Sequence, residues 1–165
     1  MSLSIAYELS LVSTTEIVPV GTTFTRPHPT AGYGLQTWVF VKNVEASASF
    51  TNGCAVVRKA GTLQKHGILA ASGTVYPRTR AFGFAQHTIP AASFGWILAQ
   101  GMGSILTGTA DITADVPITT GGSSAGAVID YADGATTREA VIGWATTASA
   151  TNDAVMIGKA DCPFI

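Results

Sequence analysis

Arg80-Ala-Phe-Gly-Phe-Ala-Gln-His-Thr88 and, beyond the connector Ile89-Pro-Ala-Ala-Ser93, Phe94-Gly-Trp-Ile-Leu-Ala-Gln100 decide how this chain folds. In the first run Phe82 and Phe84 alternate with Ala81, Gly83 and Ala85. That period of two puts aromatics on one face of a strand and small residues on the other. The second run resumes the pattern, so the two read as an antiparallel pair. Small residues opposite the aromatics predict that another backbone or sheet comes close on that side.

On the N-terminal side, Gln36-Thr-Trp-Val-Phe-Val-Lys42 is aromatic and β-branched between Gly34 and Asn43, which marks a strand. Cys54-Ala-Val-Val-Arg58 follows Asn52-Gly53, a strong turn signal. On the C-terminal side, strands are expected at Ser104–Thr107, Ala127–Tyr131, Glu139–Ala145 and Ala154–Ala160, the last two forming a hairpin across Thr146–Asp153. Short strands at this spacing predict an all-β fold, a small barrel or sandwich of short antiparallel strands. The best helix candidate is Arg58–Leu69, and Gly61 and Gly67 interrupt it.

At 165 residues the chain is long enough for one domain with a real core. Residues 1–30 read as an extended N-terminal arm ahead of a β-rich domain over 31–165, because the arm is rich in Ser and Thr and ends at Arg26-Pro-His-Pro29, which resists helix and central strand alike. The arm carries Tyr7, Leu9, Leu11, Ile17, Val18, Val20 and Phe24, more apolar surface than a solvated tail keeps. These residues are expected to dock on their own domain or to form a subunit or capsid interface with a neighbour.

Nine Lys and Arg residues face ten Asp and Glu, for a formal net charge of −1. No overall field attracts phosphate backbones or anionic lipid, so neither nucleic acid nor membrane is expected as a partner. Charged residues make up 12% of the chain, against roughly 25% in ordinary soluble domains. Either neighbouring subunits bury part of this surface, or its Thr and Ser supply the missing polarity. No stretch approaches the ~20 apolar residues that span a bilayer, and the N-terminus lacks the basic start and apolar run of a secretory signal. Cys54 and Cys162 fit no zinc pattern and are expected to pack as small apolar residues in a reducing cytoplasm, with a single disulfide as the alternative.

Candidate chemistry is thin. Gly122-Ser-Ser-Ala-Gly126 matches the letters of a nucleophile elbow, but a strand is expected after it instead of a helix, and no His lies beyond His87 to serve as the base. His28, His66 and His87 lie far apart, without a metal-ligand spacing. Asp111 with Asp115, and Asp130 with Asp133, lack the ligand density and glycine placement of a calcium loop. Gly101-Met-Gly103 and Gly121-Gly122 lack a phosphate-binding pattern and read as turn glycines. Trp38, Trp96 and Trp144 sit in expected strands as core residues; only Lys42 and Arg138 come near them, too few for a nucleic-acid stacking surface. No catalytic residue, cofactor or metal is therefore expected, and no enzymatic activity.

The stretch Ala85-Gln-His-Thr-Ile-Pro-Ala-Ala-Ser-Phe-Gly-Trp-Ile-Leu-Ala-Gln-Gly101 resembles a segment of the head decoration, or capsid cement, proteins of tailed bacteriophages. Gly103-Ser-Ile-Leu-Thr-Gly108, Gly121 to Val128, and Ala140-Val-Ile-Gly-Trp-Ala145 with Ala154-Val-Met-Ile-Gly158 are similar to that family's short strands and closing strand pair. The resemblance implies a virion structural protein, made in the host bacterial cytoplasm, that binds the major capsid protein on the outer surface of the shell and stabilises it, often as a homotrimer. The alternative is a phage tail or receptor-binding β-module that recognises carbohydrate, since a sheet presenting aromatics stacks on sugars.

Overall fold

The computed structural model describes residues 8–61, 66–108, 111–131, 140–148 and 155–162. Among these residues ten strands form one continuous sheet: β1 (Thr23–Pro27), β2 (Leu35–Asn43), β3 (Ala55–Arg58), β4 (His66–Leu69), β5 (Ala81–Ala85), β6 (Phe94–Leu106), β7 (Pro117–Thr120), β8 (Val128–Asp130), β9 (Gly143–Ala145) and β10 (Val155–Asp161). A 3-10 turn at Arg78–Arg80 precedes β5. The spatial order is β1-β2-β4-β3-β5-β6-β10-β9-β7-β8, and β2 also pairs with β6. That extra ladder closes β2, β4, β3, β5 and β6 into a barrel, so these strands have no free edge. All pairings are antiparallel except β2 with β4, registered Lys42 to His66.

β6 joins the two halves of the molecule. Residues 94–100 pair with β2 and close the barrel, while residues 100–106 pair with β10, which carries the extension β9-β7-β8. A strand of 13 residues does both because it bends at glycine. Gly101 has φ +105, and a Cβ there would lie closer than 3.0 Å to the Leu35 carbonyl oxygen. A Cβ on Gly103 would overlap the Leu98 side chain. Gly101-Met-Gly103 is thus no turn, and Ser104–Thr107 is no separate strand; both correct the reading from sequence. The glycines let one backbone cross closely over another while the ladder continues.

The aromatic runs behave as their periodicity requires. β5 and β6 pair antiparallel, Phe84 with Leu98 and Ala85 with Ile97. At Gly83 a Cβ would strike the backbone of Leu98, the close approach expected opposite the phenylalanines. Phe40 faces Trp96 across the β2–β6 ladder with ring centroids 5.2 Å apart, and Phe94 stacks on Phe40 at 6.0 Å. Trp38, Val39, Phe40 and Val41 are consecutive and all buried, so both faces of β2 are covered. Such a strand reads as an unbroken apolar run instead of an alternation.

The candidate helix at Arg58–Leu69 is replaced at both ends by strand: β3 closes on Arg58 and β4 opens at His66. Gly67 explains part of the preference. A Cβ there would meet Val56 at 2.6 Å and the Phe50 ring at 3.3 Å, so the position is cut to fit the barrel wall.

From Glu8 the arm runs back over its own barrel. Ser13 and Phe94 exchange two backbone hydrogen bonds of 3.0 and 2.7 Å, and the amide of Gly21 donates to the Phe40 carbonyl. Leu9 is buried in the core, and Val12, Ile17, Val18, Val20 and Phe24 pack against it. Phe24 meets Trp96 edge-on at 6.4 Å. The arm then becomes β1, which pairs only with β2 among the described residues. The hydrogen-bond parity set by Phe40 to Thr22 and His28 to Gly34 leaves Thr23, Thr25 and Pro27 directed at the open edge. Pro27 has no N–H to offer an added strand, which protects that edge from pairing.

Candidate interaction surface

Among the described residues three large apolar side chains stand exposed: Tyr33 at 38%, Leu35 at 63% and Trp144 at 37%. Tyr33 belongs to the β1–β2 connection, which is built as a rigid turn, and Leu35 opens β2 directly after it. The His28 amide donates to the Gly34 carbonyl at 2.8 Å, the Thr30 amide donates to His28 Nδ1 at 2.8 Å, and the His28 and Tyr33 rings lie 4.9 Å apart. Gly32 and Gly34 both take positive φ with open space where a Cβ would be. Glycine is required there for conformation alone.

Beside this turn lies an open groove of about 670 Å³. One wall is the turn itself and Thr37 of β2; the floor is Gln100, Gly101 and Met102 of β6; the far wall is Ala160 and Asp161 of β10. Gln36 of β2 ties its wall to the floor by donating Nε2 to the Met102 carbonyl at 2.8 Å. At the rim Arg78 donates Nη2 to Asp161 Oδ2 at 2.7 Å and Nε to the Asp161 carbonyl at 3.2 Å. Trp144 extends the same face. It and Met102 occupy the same register position, one from each side of β10, which places these two residues on one face of the sheet.

The residues singled out from sequence fall elsewhere. Of the arm residues, Leu9 is buried and Leu11, Ile17, Val18, Val20 and Phe24 are half-buried on their own barrel, while Tyr7 lies outside the described residues. Ser124 sits in the β7–β8 connection, where its carbonyl accepts from the Ala127 amide, and strand β8 follows. His28 belongs to the turn above. His66 opens β4, with its pKa lowered by burial and then by the Lys42 ammonium. His87 follows β5 with its pKa lowered by burial, and its Nε2 is buried without a partner among the described residues. Asp130 is buried and accepts from the Thr113 amide at 3.3 and 3.2 Å, Asp111 and Asp115 are exposed, and Asp133 and Arg138 lie outside the described residues. Among the described residues no group of three or more His, Cys, Asp or Glu side chains converges as a metal site.

Cys54 and Cys162 are buried free thiols. Burial pushes both up to about 12, with the Asp161 carboxylate adding to the shift at Cys162. Trp38 and Trp96 are core residues as expected, whereas Trp144 is not. Several cations sit over aromatic rings: Arg26 over Trp38, Lys42 over Phe94, Arg58 over Phe82 and Arg80 over Tyr76, at 4.6 to 5.7 Å from the ring centroids. Among the described residues no helix is long and apolar enough to cross a membrane.

No feature of the local sequence marks the groove. Leu35 and Tyr33 look like strand-flanking residues, and the other walls come from positions more than sixty residues away. No family model matches the chain, and no curated protein does. Among solved structures the chain is similar to the head fiber gp8.5 N base in bacteriophage phi29, at 10% sequence identity and a TM-score of 0.48, over 85% of this chain and 93% of that one.

Proposed function

We propose that the chain is a structural protein of a tailed-phage virion, which binds the outer surface of the capsid and stabilises the shell. The observation that carries this reading is the role of Ala85–Gly101, the segment that resembles the decoration proteins. It supplies the end of β5 and most of β6, the axis on which barrel and extension are joined. The charge-poor surface supports the same reading, because a protein with 12% charged residues suits a life packed against neighbours. A closed barrel with its arm fastened back on itself is a stiff body, and stiffness is what a cementing subunit contributes. Binding only the assembled lattice stabilises that lattice by mass action, and repetition over symmetry-related positions adds avidity.

On this reading the partners are the major capsid protein and other copies of the chain, arranged as a homotrimer, and the protein performs no catalysis. The test is quantitative mass spectrometry of purified particles, followed by rebinding of the purified protein to shells stripped of it. Stoichiometric copy number and raised shell melting temperature are expected. A protein absent from particles, monomeric, and unable to bind DNA-filled shells overturns the proposal.

A further inference from the structure

We infer that the groove between the β1–β2 turn and the β6–β10 ladder is a binding site for a neutral carbohydrate. Its volume of about 670 Å³ falls within the roughly 300–1,000 Å³ of small-molecule sites. Such sites combine apolar contact area with a few oriented polar groups, and this groove has both.

The contact area comes from Tyr33. A phenol ring that is 38% exposed at the lip of a groove offers an apolar face for the C–H bonds of a pyranose and a hydroxyl for its rim. The His28 ring at 4.9 Å and the amide bonds of the turn hold Tyr33 in place, so little side-chain freedom is lost on binding.

The polar groups have capacity to spare. Thr37 Oγ1 accepts from Thr25 Oγ1 at 3.1 Å, which leaves the Thr37 proton to donate. The Gln100 carboxamide takes no bond among the described residues and offers both a donor and an acceptor. Asp161 uses Oδ2 for Arg78, leaving Oδ1 as an acceptor. Two of these groups are fixed opposite each other, because Gln100 is the register partner of Thr37 on one side and of Asp161 on the other. A donor, an amide and a carboxylate oxygen in one row are the complement of a sugar's adjacent hydroxyls, each of which donates and accepts.

Charge selects among ligands. The Asp161 carboxylate is neutralised by Arg78, whose Nε and Nη2 both donate to that residue. The lining residues themselves include no Lys or Arg and one acid, Asp161, which is paired. An uncharged polyhydroxyl ligand suits this lining.

This inference does not rest on the capsid reading, since the groove would bind sugar whether the chain sits on a shell or diffuses freely. The experiment titrates the full chain with maltohexaose, cellohexaose, chitohexaose and mannohexaose, each to about 10 mM, the range in which weak protein–sugar contacts register. Amide resonances of Gly32, Gly34 and Gly101 report occupancy. At least one sugar is expected to shift these resonances saturably. Tyr33→Ala and Asp161→Ala should then weaken binding about tenfold or more, Tyr33→Phe should retain it, and Lys59→Ala, exposed beyond the end of β3 and away from the groove, should leave it unchanged. The inference is overturned if no sugar moves the groove resonances, if the shifts map elsewhere, or if sedimentation shows a stable oligomer with Tyr33 protected by a second copy.

Discussion

Replacing Gly101 with alanine tests whether the two halves of the molecule are joined by close backbone crossing within β6. Two costs add. The backbone at φ +105 is strained for any residue with a Cβ, about 1–3 kcal/mol. The new methyl group also falls within 3.0 Å of the Leu35 carbonyl oxygen and of the Gln36 backbone, so β2 and β6 must part; overpacking of this kind costs about 1–3 kcal/mol. The expected loss is about 4 kcal/mol, a large share of the roughly 5–15 kcal/mol that holds a domain together. Gly32→Ala is the control, because φ is +91 there but nothing lies within 4 Å of the added Cβ. It should lose only the conformational part, about 1–2 kcal/mol. In urea, with a slope near 2 kcal/mol/M, the unfolding midpoint should fall by about 2 M for Gly101→Ala and by about 0.5–1 M for Gly32→Ala. Far-UV circular dichroism at equilibrium reads both. Equal shifts in the two variants would refute the argument that Gly101 is required by the crossing chain.

Leu9→Ala should cost about 2–3 kcal/mol because the side chain is buried in the core cluster, while Leu11→Ala, half-buried and outside that cluster, should cost under about 1 kcal/mol; urea midpoints separate the two. Cys54 and Cys162, pushed up to about 12, should resist iodoacetamide at pH 8 in the folded protein and alkylate fully in urea, as followed by intact mass. Since both folded values lie above the ordinary thiol value of 9.0, the stability they contribute is whole below pH 9 and is lost as pH rises from 9 towards 12, a window open to thermal melts in alkaline buffer. His87 has the opposite sign: burial lowers its pKa, so the stability it contributes is present above its ordinary 6.5 and is lost as pH falls below that value. His87→Phe should flatten the acid side of the melting-temperature profile, and an unchanged slope would show that His87 does not titrate against the fold.

The barrel was partly legible in the chain because strands announce themselves locally. Alternation at Phe82 and Phe84, the apolar run Trp38–Val41 and the small residues facing the aromatics are properties of neighbours in sequence, and they led to β2, β5 and β6 and to the crossing at Gly83. The short strands β4 and β7 were not legible. Four residues carry too little pattern, and these became strands because a partner lay alongside.

Periodicity and turn preference act within a few residues, so the sequence by itself determined that the chain is all-β, where most of its longer strands lie, and that Phe94–Gln100 belongs at their centre. Only the tertiary structure decided that β6 runs on through Gly101 and Gly103, that β2 pairs with both β4 and β6 to close a barrel, that the arm covers its own core, and that Tyr33, Gln100 and Asp161 meet around one groove. The physical reason is that a sheet's hydrogen bonds join residues remote along the chain. Whether a glycine turns the backbone or lets another pass close by depends on which segment arrives opposite it.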